Sequence, residues 1–189
     1  MKTKRIKSLY ARIAFTSGRW LMGAAPLAAQ SGCQLIDDAM NKVMTFPTHI
    51  YGAMSSVPSS GANPRSDEAS HSETIYVGGS AYVKVSGKWS RSEWTPQRIM
   101  KQEQENRQQS KSTCRYLRDE SVNGETATVY SLHSERSDVG QMHVTSDGEV
   151  WISKSKGLPL RDEMDVDAGS GIKDHHSVRY EYTSVQPPI

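Results

Sequence analysis

Apolar and polar positions begin to alternate at Thr74. Residues 74–77 run into Gly78-Gly79, after which Ala81, Val83 and Val85 alternate with Tyr82 and Lys84. A period of two puts successive side chains on opposite faces of a strand, and Gly-Gly between two such runs signals a hairpin. A second turn is predicted at Ser86-Gly87-Lys88, with a third strand over residues 89–94. Upstream, residues 48–54 form a candidate first strand through Ile50 and Tyr51, and residues 57–72 read as a mobile loop rich in Ser, Pro, Gly and Asn. Downstream, residues 114–120 are expected to pair with 125–133 across Asn123-Gly124, and 141–145 with 149–153 across Asp147-Gly148. Another strand, 158–165, follows Lys156-Gly157. The last strand sets Val178, Tyr180 and Tyr182 against Arg179, Glu181 and Thr183. About eight short strands joined by tight turns make an antiparallel meander with one apolar face.

Two segments carry a helical period instead. Over residues 35–44, Leu35, Ile36, Met40, Val43 and Met44 gather on one side, with Asp37, Asp38, Asn41 and Lys42 on the other, and Pro47 ends the run. Thr95-Pro96 opens a second helix, Thr as N-cap and Pro in the first turn. To about Ser110 its apolar residues are Ile99 and Met100, which suits a solvated surface helix, or else a lid or partner-binding helix.

Composition changes this picture mainly at the N-terminus. Of 189 residues, 35% are hydrophobic and 23% charged, the profile of one globular domain. The net charge of +2 is unevenly placed. Residues 1–30 hold Lys2, Lys4, Arg5, Lys7, Arg12 and Arg19 and no acid; without these six, 17 basic residues face 21 acidic ones, a net of −4. A mildly acidic domain has no electrostatic reason to seek nucleic acid. The basic stretch leads into an apolar run from Trp20 to Ala29 that is too short to span a bilayer as a helix and suits a signal peptide cut after Ala29. A mitochondrial-type targeting segment is the alternative. The expected domains are therefore a signal peptide at 1–29 and a single β domain at 30–189, expected to be exported to the periplasm and not integral to the membrane once processed.

Export bears on the two cysteines, Cys33 and Cys114. An even count in an oxidising compartment points to a disulfide, with two unpaired thiols as the alternative if the chain is not exported. A lipid anchor through Cys33 is not expected, because Gln30 stands where such a signal needs an aliphatic residue.

The search for chemistry yields no catalytic motif: GxSxG, HExxH, CxxC, the P-loop and GxGxxG are all missing, so no enzyme activity and no cofactor are expected. Among the histidines, Asp174-His175-His176 is the suggestive run, but neighbours on a strand point to opposite faces and cannot easily share an ion. The acidic run at 162–167 lacks the ligand order of a calcium loop. No metal site is expected.

One stretch reads best as a unit. Val150-Trp151-Ile152-Ser153-Lys154-Ser155-Lys156-Gly157-Leu158-Pro159-Leu160-Arg161 is a strand, a turn and a Gly-Leu-Pro-Leu start to the return strand, and Ser177 to Val185 follows as a closing strand. Residues 114–185 resemble the LolA-like superfamily, which includes periplasmic lipoprotein carriers and the sensing domain of a stress regulator. The shorter first helix and the cysteine pair set this chain on a divergent branch. The resemblance implies a mainly β (α+β) fold: a curved antiparallel half-barrel of about eight strands with one or two helices covering its concave face. It also implies a non-catalytic carrier of a lipid, acyl chain or other apolar ligand. Candidate lining residues are Met40, Val43, Met44, Val83, Val85, Trp89, Trp151, Val178 and Tyr180. The alternative is an envelope assembly protein with a closed core, docking a protein partner through its exposed helix or edge strand.

Overall fold

The computed structural model describes residues 32–58, 69–139, 142–169 and 171–189. The expected leader at 1–29 lies outside the described residues. So does most of the expected loop at 57–72, whose two ends belong to strands instead.

Chain order is helix α1 (Gly32–Val43), strands β1 (Thr48–Pro58), β2 (Ser70–Val77), β3 (Ser80–Val85) and β4 (Lys88–Arg91), helix α2 (Pro96–Gln108), then β5 (Ser110–Val122), β6 (Glu125–Val139), β7 (Met142–Ser153), β8 (Pro159–Asp167) and β9 (Ile172–Glu181). Among the described residues the nine strands form one open sheet, ordered β4-β3-β2-β1-β9-β8-β7-β6-β5. Every pair is antiparallel. The protein is mainly β with two helices, and β4 and β5 are the free edges of its sheet.

Local chemistry accounts for most turns. Gly78 and Gly79, Ser86 and Gly87, and Asn123 and Gly124 all take positive φ. That is the requirement of the two-residue hairpin turns matching strand twist. The expected hairpin at Asp147-Gly148 is not there. Residues 142–153 run as one strand, and β6 extends to Val139 to pair with it. Gly148 answers to a different demand: a Cβ built on it falls 1.9 Å from the Glu163 carbonyl oxygen on β8. A glycine within a strand permits such a close backbone approach as readily as it makes a turn.

Helix α1 buries Ile36, Ala39 and Val43, spaced to share one side of a helix. Its C-terminus is held by Thr48, whose Oγ1 donates to the carbonyls of Val43 at 3.2 Å and Phe46 at 2.9 Å. At its N-terminus the Cys33–Cys114 disulfide ties it to β5. Near its other end Val43 packs with Tyr76 of β2, Ala81 of β3 and Tyr180 of β9. Twelve residues of helix span about 18 Å. Strands β5 and β2 stand six places apart, roughly 29 Å at ~4.8 Å per strand in a flat sheet. The helix nonetheless joins both flanks, bonded to β5 at one end and packed on β2 and β3 at the other.

Strand alternation gives the sheet two unlike faces. On the helix face Ile36 and Ala39 pack on Val150 and Ile152. On the opposite face Ala127, Val129, Trp151 and Leu160 form a smaller core with Val122 and Tyr182. Tyr182 lies just past β9, and its hydroxyl donates to the Pro159 carbonyl at 2.6 Å. Beyond that core the face is charged: Arg161 at 4.9 Å and Arg118 at 6.0 Å lie over the Trp151 ring, and Arg179 lies over Tyr51 at 4.2 Å.

Candidate functional site

Between the two helices and the sheet lies a cleft of about 740 Å³, within the ~300–1,000 Å³ usual for ligand pockets. One wall is α1, through Ile36, Met40 and Val43, continued by Met44 just past its end. Ile99 and Met100 of α2 form the facing wall. The floor comes from seven strands, with Tyr180 and Val178 of β9 near its centre.

The second helix closes the cleft with little of its own surface buried. Pro96 is its buried residue. Thr95 caps it, its side chain accepting from the Arg98 amide at 3.3 Å. At the far end Arg107 meets Asp37 of α1 at 3.0 Å and donates to Asn41 Oδ1 at 3.4 Å. The helix thus rests across the opening on a cap, two apolar side chains, one ionic clasp and the Ser110 hydroxyl, which donates to the Asn106 carbonyl at 2.8 Å.

Level with the floor, on the same face of the sheet, sits a buried acid. Asp162 on β8 accepts from the Tyr180 hydroxyl at 2.5 Å, and the same hydroxyl is 3.9 Å from the Met40 sulfur. Burial pushes the Asp162 carboxyl up to about 6, against the opposing pull of Tyr180 and His176. Burial also raises Tyr180 well above the usual phenol range, and Asp162 adds to the effect. Tyr76, at another part of the lining, is raised by burial and then by Glu103 of α2.

Of the residues expected to line a ligand site, Met40, Val43, Met44, Val178 and Tyr180 lie together on this cleft. The other four do not line it. Trp151 has the opposite strand parity from Val150 and Ile152 and is buried in the core of the other face. Trp89 pairs with Lys84, which stands on the face of Glu73, and its ring meets His49 edge-on at 5.8 Å. Val83 shares the parity of Ala81 on β3 but is outside the lining, and Val85, at the hairpin end, is 63% exposed. The sequence reading missed Ile50, Tyr76, Leu132 and Met164, all of which line the cleft. Ile99 and Met100 were visible as the apolar pair on a polar helix, and that was the available signal for the second wall.

Among the described residues no group of three or more His, Cys, Asp or Glu side chains is placed to hold a metal ion. Nor is any described helix long and apolar enough to cross a membrane.

No family model and no curated protein matches the chain. Similar solved structures include LprF from Mycobacterium bovis, 11% identical, with 82% of this chain and 95% of that one covered at a TM-score of 0.42. The Mycobacterium tuberculosis lipoprotein LppX is 11% identical, with coverage of 80% and 96% and a TM-score of 0.41. A putative outer membrane lipoprotein-sorting protein domain from Vibrio parahaemolyticus is 11% identical, with coverage of 82% and 94% and a TM-score of 0.23.

Proposed function

We propose that this chain is a non-catalytic periplasmic protein that binds or carries a lipid, an acyl chain or another apolar ligand in the cleft between α1, α2 and the sheet. The observation that carries this reading is the cleft itself: apolar side chains from both helices and the sheet floor face one space of about 740 Å³. Burial of apolar ligand surface there contributes roughly 25 cal/mol per Å², so affinity depends little on salt. The disulfide between Cys33 and Cys114 suits an oxidising compartment. Exposed α2 acts as the movable cover. It is held by few contacts, so it can lift without disturbing the sheet.

Native mass spectrometry of protein purified from a periplasm, followed by solvent extraction, tests the reading. A co-purifying apolar species is expected, and it is lost in Ile99→Glu, which places a charge on the cleft side of α2 and leaves the sheet intact. A clean unliganded mass that takes up no added lipid overturns the carrier reading and favours a protein-docking role.

A further inference from the structure

The adjacent histidines of β9 lie on opposite faces of the sheet. His175 stands on the outer face, its Nδ1 2.7 Å from Asp165 Oδ1. His176 stands on the cleft face, and among the described residues no hydrogen bond engages its ring. In register with it are Met164 of β8 on one side and Met54 of β1 on the other. The three side chains form a row on one face: thioether, imidazole, thioether.

Residues directly opposite each other in antiparallel strands have Cβ atoms about 4.5–5.5 Å apart, so both sulfurs can reach an ion seated against the imidazole. Met54 is 41% exposed, which opens the row to solvent. The Met164 sulfur lies over Gly148, 2.6 Å from where a Cβ would stand. It swings toward His176 about the freely turning bonds of an unbranched side chain.

The surroundings select the kind of ion. Asp162 and Asp174 share this part of the face. Each carboxylate already accepts from a hydroxyl at 2.5 Å, Asp162 from Tyr180 and Asp174 from Ser56. Both cysteines are tied in the disulfide. The row therefore offers one neutral nitrogen and two soft, neutral sulfurs. Zinc takes imidazole with thiolate or carboxylate, and calcium and magnesium take oxygen. Thioethers favour copper(I).

We propose that Met54, His176 and Met164 form a binding site for a soft monovalent metal ion, copper(I), on the sheet beside the cleft. The site is distinct from the apolar cavity, since Met164 is its one residue in the cleft lining, and it does not depend on the carrier reading. The ligands come from three strands that are neighbours in the sheet but distant in sequence. The β1–β9 seam brings Met54 to His176.

Silver(I), which shares the ligand preference of copper(I) and stays in one oxidation state, is the probe. Protein purified from a periplasm, with isotope-labelled methionine methyl groups, is titrated with silver nitrate in chloride-free buffer. One ion per chain is expected. The Met54 and Met164 methyl resonances and the His176 ring protons should shift together, while those of Met40, Met44 and Met100 stay. Copper(I) kept reduced with ascorbate should give the same pattern, and zinc(II) none. Met54→Leu combined with Met164→Leu conserves volume and should weaken silver(I) binding at least about a hundredfold. Met40→Leu combined with Met44→Leu should leave it unchanged. No uptake of silver(I), shifts confined to the cleft methionines, or undiminished binding in the Met54→Leu, Met164→Leu protein overturns the site. The shifts are read on the wild-type chain, so the result stands even if the double variant does not fold.

Discussion

Asp162 and Tyr180 stand on neighbouring strands beneath the cleft, the tyrosine hydroxyl donating to the carboxyl over 2.5 Å. Folding thus places an acid where its charged form is disfavoured. The carboxyl rises to about 6 from an ordinary 3.8. A raised value means that the native state binds the proton more tightly than the unfolded chain. The associated stability is fully present below about pH 3.8 and is lost as pH rises through about 6. Wild type should therefore gain on Asp162→Asn by up to about 3 kcal/mol between pH 7.5 and pH 4. Thermal or urea unfolding of both proteins across that range measures the gap. A gap that does not change with pH refutes the assignment.

The Cys33–Cys114 link closes a loop of sequence separation 81 and holds the N-terminus of α1 on β5. Reduction, or the double change Cys33→Ser with Cys114→Ser, should lower stability by about 2–4 kcal/mol. Denaturant titration with and without reductant reads the loss. Hydrogen exchange should show the first turn of α1 opening before β6 and β7.

Gly148 and Gly124 make opposite demands. A methyl group at Gly148 meets the Glu163 carbonyl, whereas at Gly124, with φ of 82°, it meets nothing within 4 Å. Gly124→Ala should cost about 1 kcal/mol, as backbone strain in a turn does. Gly148→Ala should cost well over about 3 kcal/mol, or prevent folded protein from accumulating, because β7 and β8 must separate. Similar unfolding midpoints for the two variants would refute the close-approach explanation.

Arg107→Ala removes the clasp between α2 and α1. Both partners of the pair are substantially exposed, so global stability should fall by less than about 1 kcal/mol. Trypsin should nevertheless cut within α2, at Arg98 or Lys101, several times faster. Unchanged cleavage would mean that the cap and the apolar pair hold the helix unaided.

Trp151→Ala is expected to cost about 3–5 kcal/mol, because the ring is buried in the core of the face opposite the cleft. Ligand affinity of the folded fraction should be unchanged. A direct loss of affinity would place the ring on the wrong side of the sheet in the present account.

Much of the fold was legible because it rests on short-range signals. The Asn123-Gly124 and Gly78-Gly79 turns, the Thr95 cap and the apolar side of α1 each follow from a few adjacent residues. Asp147-Gly148 shows the limit of such signals. The same dipeptide serves a tight turn or a close strand crossing, and only the position of β8 decides between them. That error mattered for the site, because parity along β6, β7 and β8 determines which side chains face the helices. Leu132 and Met164 line the cleft, and Trp151 points to the opposite face. The expected residues that lie on the cleft, Met40, Val43, Met44, Val178 and Tyr180, come from α1, the residue just past it, and β9, whose periodicities were read directly.

Strand β1 lies between β2, the next strand in the chain, and β9, the last. The sheet is therefore two meanders, β1 to β4 and β5 to β9, sewn along a single seam from His49–Glu181 to Pro58–Ile172. Each meander can assemble from local hairpins as the chain emerges. The seam must wait for the final strand, and α1 needs both halves because it is fastened to one and packed on the other. Until then β1 and β9 each present an unsatisfied backbone edge, and the matching edge on a second molecule is identical to the one they await. Renaturation should lose yield to strand-exchanged species as protein concentration rises, while the unfolding rate of the completed monomer stays independent of it.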